Sequence, residues 1–253
     1  MSTLEILGLG GLAGGTIFLG LPCAKLHLPR TLQGFLNAMA TGILFFLLYD
    51  VLQQAIDPID TAVKHPSTGP YAFYLLALIG GLAVGLLALV IFEKRFLRSE
   101  PGAAPSGATL GYMIATGIGM HNLSEGLAIG QAATKSEIQL ATLLIIGFGL
   151  HNMTEGFGIS APLSGNISWG FIGLAGLIGG GPTFLGTVVG MSFHATFIYI
   201  LFLALAAGSI IYVLSQLLPL IRRAQAQQLV MAGLIVGFTV AYGTDLVLIA
   251  AGA

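Results

Sequence analysis

Long apolar runs separated by short polar breaks organise this chain. Runs of spanning length lie at 4–22, 32–53, 71–92, 108–132, 138–160, 169–190, 195–217 and 228–251. A helix needs about 20 mostly apolar residues to cross the hydrocarbon core, so the pattern predicts an all-α polytopic membrane protein with a bundle of eight transmembrane helices. The polar breaks fall at Lys25–Arg30, Asp57–Pro70, Glu93–Gly107, Thr134–Glu137, Ser164–Ser168, Met191–His194 and Pro219–Gln228. Little but Ser192 and His194 divides the sixth span from the seventh. All 253 residues read as one transmembrane domain.

Composition agrees. The chain is 56% hydrophobic and 8% charged, too few charges to cover the surface of a soluble domain of this length. Its 37 glycines suit helices that pack backbone to backbone in lipid. A net charge of −1 without a basic patch argues against nucleic-acid binding. The single cysteine, Cys23, excludes an internal disulfide and argues against a thiolate-rich metal site. The opening MSTLEILGLGG has no basic n-region and carries Glu5, so no cleavable signal peptide is expected.

Basic residues set the orientation. With the N-terminus outside, the inner loops hold Lys25, Arg30, Lys94, Arg95, Arg98, Arg222 and Arg223, and the outer loops hold Lys64 and Lys135. Both termini are therefore expected outside. Glu5, Asp57, Asp60 and Glu137 then face outward; they are either ordinary solvated loop charge or an acidic rim that concentrates cations.

Two apolar runs are broken by the same polar motif. His121, Asn122, Glu125 and Gly126 in the fourth span recur 30 residues on as His151, Asn152, Glu155 and Gly156 in the fifth, and GIGMH at 117–121 repeats as GFGLH at 147–151. On a helix, His121 and Glu125 lie one turn apart on one face, roughly 6 Å along the axis. A carboxylate at the centre of a membrane helix costs about 2.5–3.5 kcal/mol on insertion scales, so the pair requires compensation. A divalent cation supplies it, because imidazole plus carboxylate is the ligand set of Zn²⁺ and its first-row neighbours. Adjacent spans run in opposite directions, so the second copy is presented inverted and the ligands form a short ladder across the membrane centre.

At these residues the chain resembles the ZIP (Zrt/Irt-like protein) family of divalent-metal transporters, nearer its prokaryotic branch. FLALAAG at 202–208 resembles the family's seventh helix and ATG at 40–42 its second. The resemblance implies a transporter and not an enzyme, with no resident cofactor. Its cargo would be Zn²⁺ foremost, with Fe²⁺, Mn²⁺, Co²⁺ or Cd²⁺ as other candidates, moved across the cell membrane into the cytoplasm. It implies that His121, Asn122, Glu125, His151, Asn152 and Glu155 form the transport site, and it is compatible with a homodimer. The chain departs from the family where an acid is usual on the sixth helix: Thr183 is the aligned residue. Asn152 stands where some relatives carry an acid, and SQLLP at 215–219 replaces an acidic pair before proline.

Four further polar residues are assigned as access ligands or parts of a second position. Asp50 and Asp245, both in the outer halves of their spans, either join the access path or reach interfacial water. Thr183 offers a neutral oxygen, and His194 is a solvated histidine or an access ligand. Trp169, Tyr199 and Tyr212 read as interface or packing aromatics. A membrane-embedded metalloenzyme is the rival class, but neither His-Glu-x-x-His nor repeated Glu-x-x-His occurs. A metal-independent proton carrier would use the same His and Glu as a relay.

Overall fold

The computed structural model describes residues 2–27, 29–92, 94–95, 106–134, 152–163, 165, 167–192, 195–223 and 226–250. Within these residues all regular structure is helical. The elements are α1 (Thr3–Gly15), α2 (Ile17–Gly20) with a 3-10 turn at Leu21–Lys25, α3 (Arg30–Lys64), α4 (Tyr71–Phe92), α5 (Gly107–Thr134), α6 (152–160), α7 (Trp169–Gly190), α8 (Thr196–Arg223) and α9 (Gln227–Ala250). Six of these segments are long and apolar enough to cross a membrane: Thr3–Lys25, Arg30–Lys64, Tyr71–Ile91, Trp169–Gly190, Thr196–Pro219 and Gln227–Leu246. The chain is a helical membrane protein. α5 is as long, at 28 residues, but carries His121, Asn122, Ser124 and Glu125. Most of the fifth expected span lies outside the described residues.

Three boundaries differ from expectation. The first span is not one helix: α1 stops at Gly15, where the Thr16 hydroxyl donates back to Ala13 O at 2.6 Å. The break expected at Asp57–Pro70 starts later, at His65. α3 runs on to Lys64 through Pro58, because Val51, Ala55, Ile59 and Ala62 continue one buried stripe. α8 likewise passes through Pro219 to Arg223.

Glycine decides which helices touch. α5 lies along α7 so closely that a Cβ at Gly126 would stand 2.1 Å from Thr183 O, and one at Gly186 would stand 2.1 Å from Leu123 O. Small residues are what allow such approach in lipid, where packing rather than water exclusion joins helices. The order of the contacts gives their sense. Gly119 meets Ile178, Gly126 meets Thr183 and Gly130 meets Gly190, so α5 and α7 run parallel. Gly42 and Gly237 pair α3 with α9 in parallel, and Gly85 and Gly208 do the same for α4 with α8. α1 runs antiparallel to α7, with Gly10 at Thr187 and Gly14 at Gly180.

The main apolar core gathers Leu44, Leu47 and Val51 of α3, Met113, Ile114 and Ile118 of α5, and Leu203, Ala207, Ile210 and Val213 of α8. At one end of the bundle the Lys25 ammonium donates to Ile167 O and sits 5.2 Å from the centre of the Trp169 ring. Trp169, at the start of α7, is exposed and not packed in the core.

The backbone contacts make a sharp test. Gly186→Ala drives a methyl into Leu123 O, and overpacking of this kind costs about 1–3 kcal/mol; Gly173→Ala, with nothing within 4 Å of the new carbon, gains helix propensity worth about 0.5–1 kcal/mol. Unfolding of the two variants in mixed detergent should separate them in that order, and equal stabilities would contradict the α5–α7 contact.

Candidate functional site

The motif in α5 presents two faces. Gly119, Gly126 and Gly130 recur at seven and four residues and form the stripe against α7, and Asn122 shares that stripe. His121 and Glu125 lie on the adjoining face, about 100° round the helix. Their side chains meet, with His121 Nε2 3.2 Å from Glu125 Oε1, and both are buried.

Asn122 joins three helices. Its amide nitrogen donates to Gly179 O of α7 and to Glu155 Oε2 of α6, each at 3.0 Å. Hence a residue of the first motif copy is hydrogen-bonded to a residue of the second. The second copy repeats the two-faced logic. Gly156 packs on Ile17 O, and Asn152, one turn earlier on the same stripe, donates its amide nitrogen to Ala13 O at 3.0 Å. That carbonyl is exposed to a new donor because α1 breaks just beyond it. Asn122, Asn152, Glu155 and Thr183 are fully buried.

The oxygens are the counterpart of these nitrogens. Among the described residues, Asn122 Oδ1, Asn152 Oδ1, Ser124 Oγ and Thr183 Oγ1 are buried and meet no hydrogen-bond partner. Buried acceptors are normally satisfied, so Asn122 Oδ1, on the amide that reaches the Glu155 carboxylate, is suited to meeting a positive charge.

A second group lies around this centre. Asp50 and Asp245 are half-buried, and Asp245 lies within Coulombic reach of Asp50, Glu125 and His121. Asp50 is oriented by Gln54, whose amide nitrogen donates to its carboxylate at 2.7 Å, and Gln54 in turn accepts from the Tyr199 hydroxyl at 2.9 Å. Tyr199 is therefore more than the packing aromatic expected of it. Gln54 was legible as a partner, since it follows Asp50 by one helical turn; Tyr199, 145 residues away, was not.

His121, Asn122, Glu125, Asn152, Glu155 and Thr183 thus come together, with Asp50 and Asp245 near them. His151 and His194 lie outside the described residues. Among the described residues no three His, Cys, Asp or Glu side chains are grouped so that they could hold a metal ion.

No protein-family model matches the chain, and comparison with curated proteins finds no match.

The inter-copy hydrogen bond yields an expectation about stability. Asn122→Leu keeps the bulk but removes the donor to Glu155 and Gly179 O, and loss of a buried partner costs about 1–3 kcal/mol. Thermal unfolding of the purified variant should fall accordingly, while Asn37→Leu, away from both motif copies in sequence, should fall less. Equal losses would argue against the Asn122 bridge as a specific tie.

Proposed function

We propose that this chain is a ZIP-like transporter that moves divalent metal cations across the cell membrane into the cytoplasm. The observation that carries the reading is the buried hydrogen bond from Asn122 to Glu155, which brings the two motif copies into one site. Cargo is Zn²⁺ foremost, with Fe²⁺, Mn²⁺, Co²⁺ and Cd²⁺ able to use the same donors. His121, Glu125 and Glu155 bind it, with His151 as the matching imidazole of the second copy. Imidazole and carboxylate select borderline first-row ions, and geometry ranks them. The two carboxylates offset the ion's charge in a medium that cannot solvate it. Asp50 and Asp245 draw cations toward the site.

Eight crossings fit this reading. α5 and α7 are parallel neighbours, as the fourth and sixth spans of an eight-span chain would be. The positive-inside partition then puts both termini outside, and it puts Lys25 and Trp169, which touch, on the same inner side.

A second reading, proton carriage by the same His and Glu, has two observations in its favour. The His121–Glu125 contact at 3.2 Å is already at proton-relay distance, and no ready three-ligand metal group exists among the described residues.

Proteoliposome uptake separates the two. The intact protein should accumulate radiolabelled Zn²⁺, and Glu125→Gln and Glu155→Gln, which delete a charge at nearly constant shape, should each lower flux and affinity by at least about 10-fold, the loss of 1.4 kcal/mol or more. Proton flux without metal uptake favours the relay, and normal zinc transport by both variants excludes the proposed site.

Topology is checked separately. In a Cys23→Ala background, a cysteine at exposed Ser67 should react with a membrane-impermeant thiol reagent in intact cells, and one at exposed Gln228 should not. The reverse pattern would invert the orientation.

A further inference from the structure

Asp50 of α3 is held at one of its two carboxylate oxygens. The Gln54 amide nitrogen, one helical turn on, donates to Asp50 Oδ2 at 2.7 Å, and Gln54 Oε1 accepts from the Tyr199 hydroxyl of α8 at 2.9 Å. The polarity of this chain is set from the acid end. An ionised carboxylate only accepts, so the amide turns its nitrogen to Asp50 and its oxygen to the hydroxyl, which then has to donate. The 2.7 Å spacing is that of a charge-assisted bond.

Tyr199 makes the grip persistent. An amide and a carboxylate one turn apart on a helix attract each other by less than thermal energy. Here the amide is also held from α8, and each link in a chain of hydrogen bonds strengthens the next. All three side chains are half-buried, so water competes with the chain less than it would on an open surface. A tie between α3 and α8 alone has no need of an acid, since the two helices already pack along the apolar core. The chain therefore does something for Asp50 itself.

What it does is limit how Asp50 can meet an ion. With Oδ2 taken by Gln54, Oδ1 is the oxygen left. Zn²⁺ is complete with about four ligands, so a single carboxylate oxygen serves it. Ca²⁺ gathers about six to eight oxygens, in part from carboxylates that give both of theirs. Asp245 is the acid whose charge acts together with that of Asp50, and such a pair, free to grip with every oxygen, would suit Ca²⁺ well. We propose that Gln54 and Tyr199 determine ion specificity: by occupying Asp50 Oδ2 they deny Ca²⁺ a two-oxygen grip beside Asp245 and leave the approach open to ions that accept one oxygen. Tyr199 acts through Gln54 and is a positioning residue. The bearing on metal movement rests on the transport reading; the effect on Ca²⁺ binding does not.

Equilibrium binding of radiolabelled Ca²⁺ to the purified full-length protein, and inhibition of zinc uptake by Ca²⁺ in proteoliposomes, test it together. Tyr199→Phe, which removes only the hydroxyl, should tighten Ca²⁺ binding by about 10-fold and lower by a similar factor the Ca²⁺ concentration that halves zinc uptake. Gln54→Leu, which frees Oδ2 outright, should do the same. Adding Asp50→Asn to either variant should abolish the gain, since the amide has one oxygen and no charge. A tie that only joined α3 to α8 would lower thermal stability and leave Ca²⁺ affinity where it was. Unchanged Ca²⁺ affinity in either single variant that elutes as a single species, or a gain that survives Asp50→Asn, overturns the inference. A gain in Ca²⁺ affinity with no zinc uptake by the wild-type protein removes the transport reading alone. Zinc uptake with unchanged Ca²⁺ affinity in the variants removes the specificity role alone.

Discussion

Hydrocarbon offers no hydrogen-bond partner, so every polar group at the centre of this bundle has to be answered by the protein itself. That constraint shapes the packing. Asn122 and Asn152 reach backbone carbonyls on adjoining helices, and they can do so because glycines on the same stripe bring those backbones within van der Waals contact. Gly126 seats α5 on α7, and Gly156 seats α6 on the first span. Replace the glycines with larger residues and the amides would be stranded short of Gly179 O and Ala13 O. The glycine and asparagine of each motif copy are therefore one device, spaced a single turn apart.

The other half of each copy is freed by that arrangement. With asparagine and glycine facing a neighbouring helix, the intervening carboxylate turns about 100° away. Glu125 meets His121 on its own helix, while Glu155 accepts from Asn122 across to α5. A six-residue motif thus supplies both the attachment of its helix and the chemistry it presents. Two copies on helices of opposite sense place that chemistry in one buried centre instead of two.

Much of this was legible in the sequence. α4 and α7 begin and end where the hydropathy pattern places them; Pro70 and Glu93 flank α4, and Ser168 caps the start of α7. The pairing of the two motif copies followed from their repetition. The pattern failed where a local signal was overruled by packing. Asp57 and Pro58 read as a loop, but the stripe from Val51 to Ala62 keeps α3 wound past them. The break at Thr16 was invisible, since a threonine in an apolar run has no obvious reason to bond backward to Ala13 O. The tie between Tyr199 and Asp50 through Gln54 depends on how α8 lies against α3, which no local pattern encodes.

Charge gives the site its direction. Glu125, Glu155, Asp50 and Asp245 lie in or around the centre with His121. The described lysines and arginines all sit at or beyond the helix ends: Lys25, Arg30, Lys64, Lys94, Arg95, Arg222 and Arg223. Among the described residues no lysine or arginine lies beside these acids within the bundle, and the protein interior weakens electric fields far less than water does. Beyond what His121 offers Glu125, neutrality there would call for bound protons or bound cations. A proton answers one carboxylate at a time and leaves the amide and hydroxyl oxygens with nothing to hold. A coordinated cation engages carboxylate, imidazole and neutral oxygen together. Placing such oxygens beside the acids, instead of apolar side chains, makes sense for a site that binds ions and has little value for one that only passes protons.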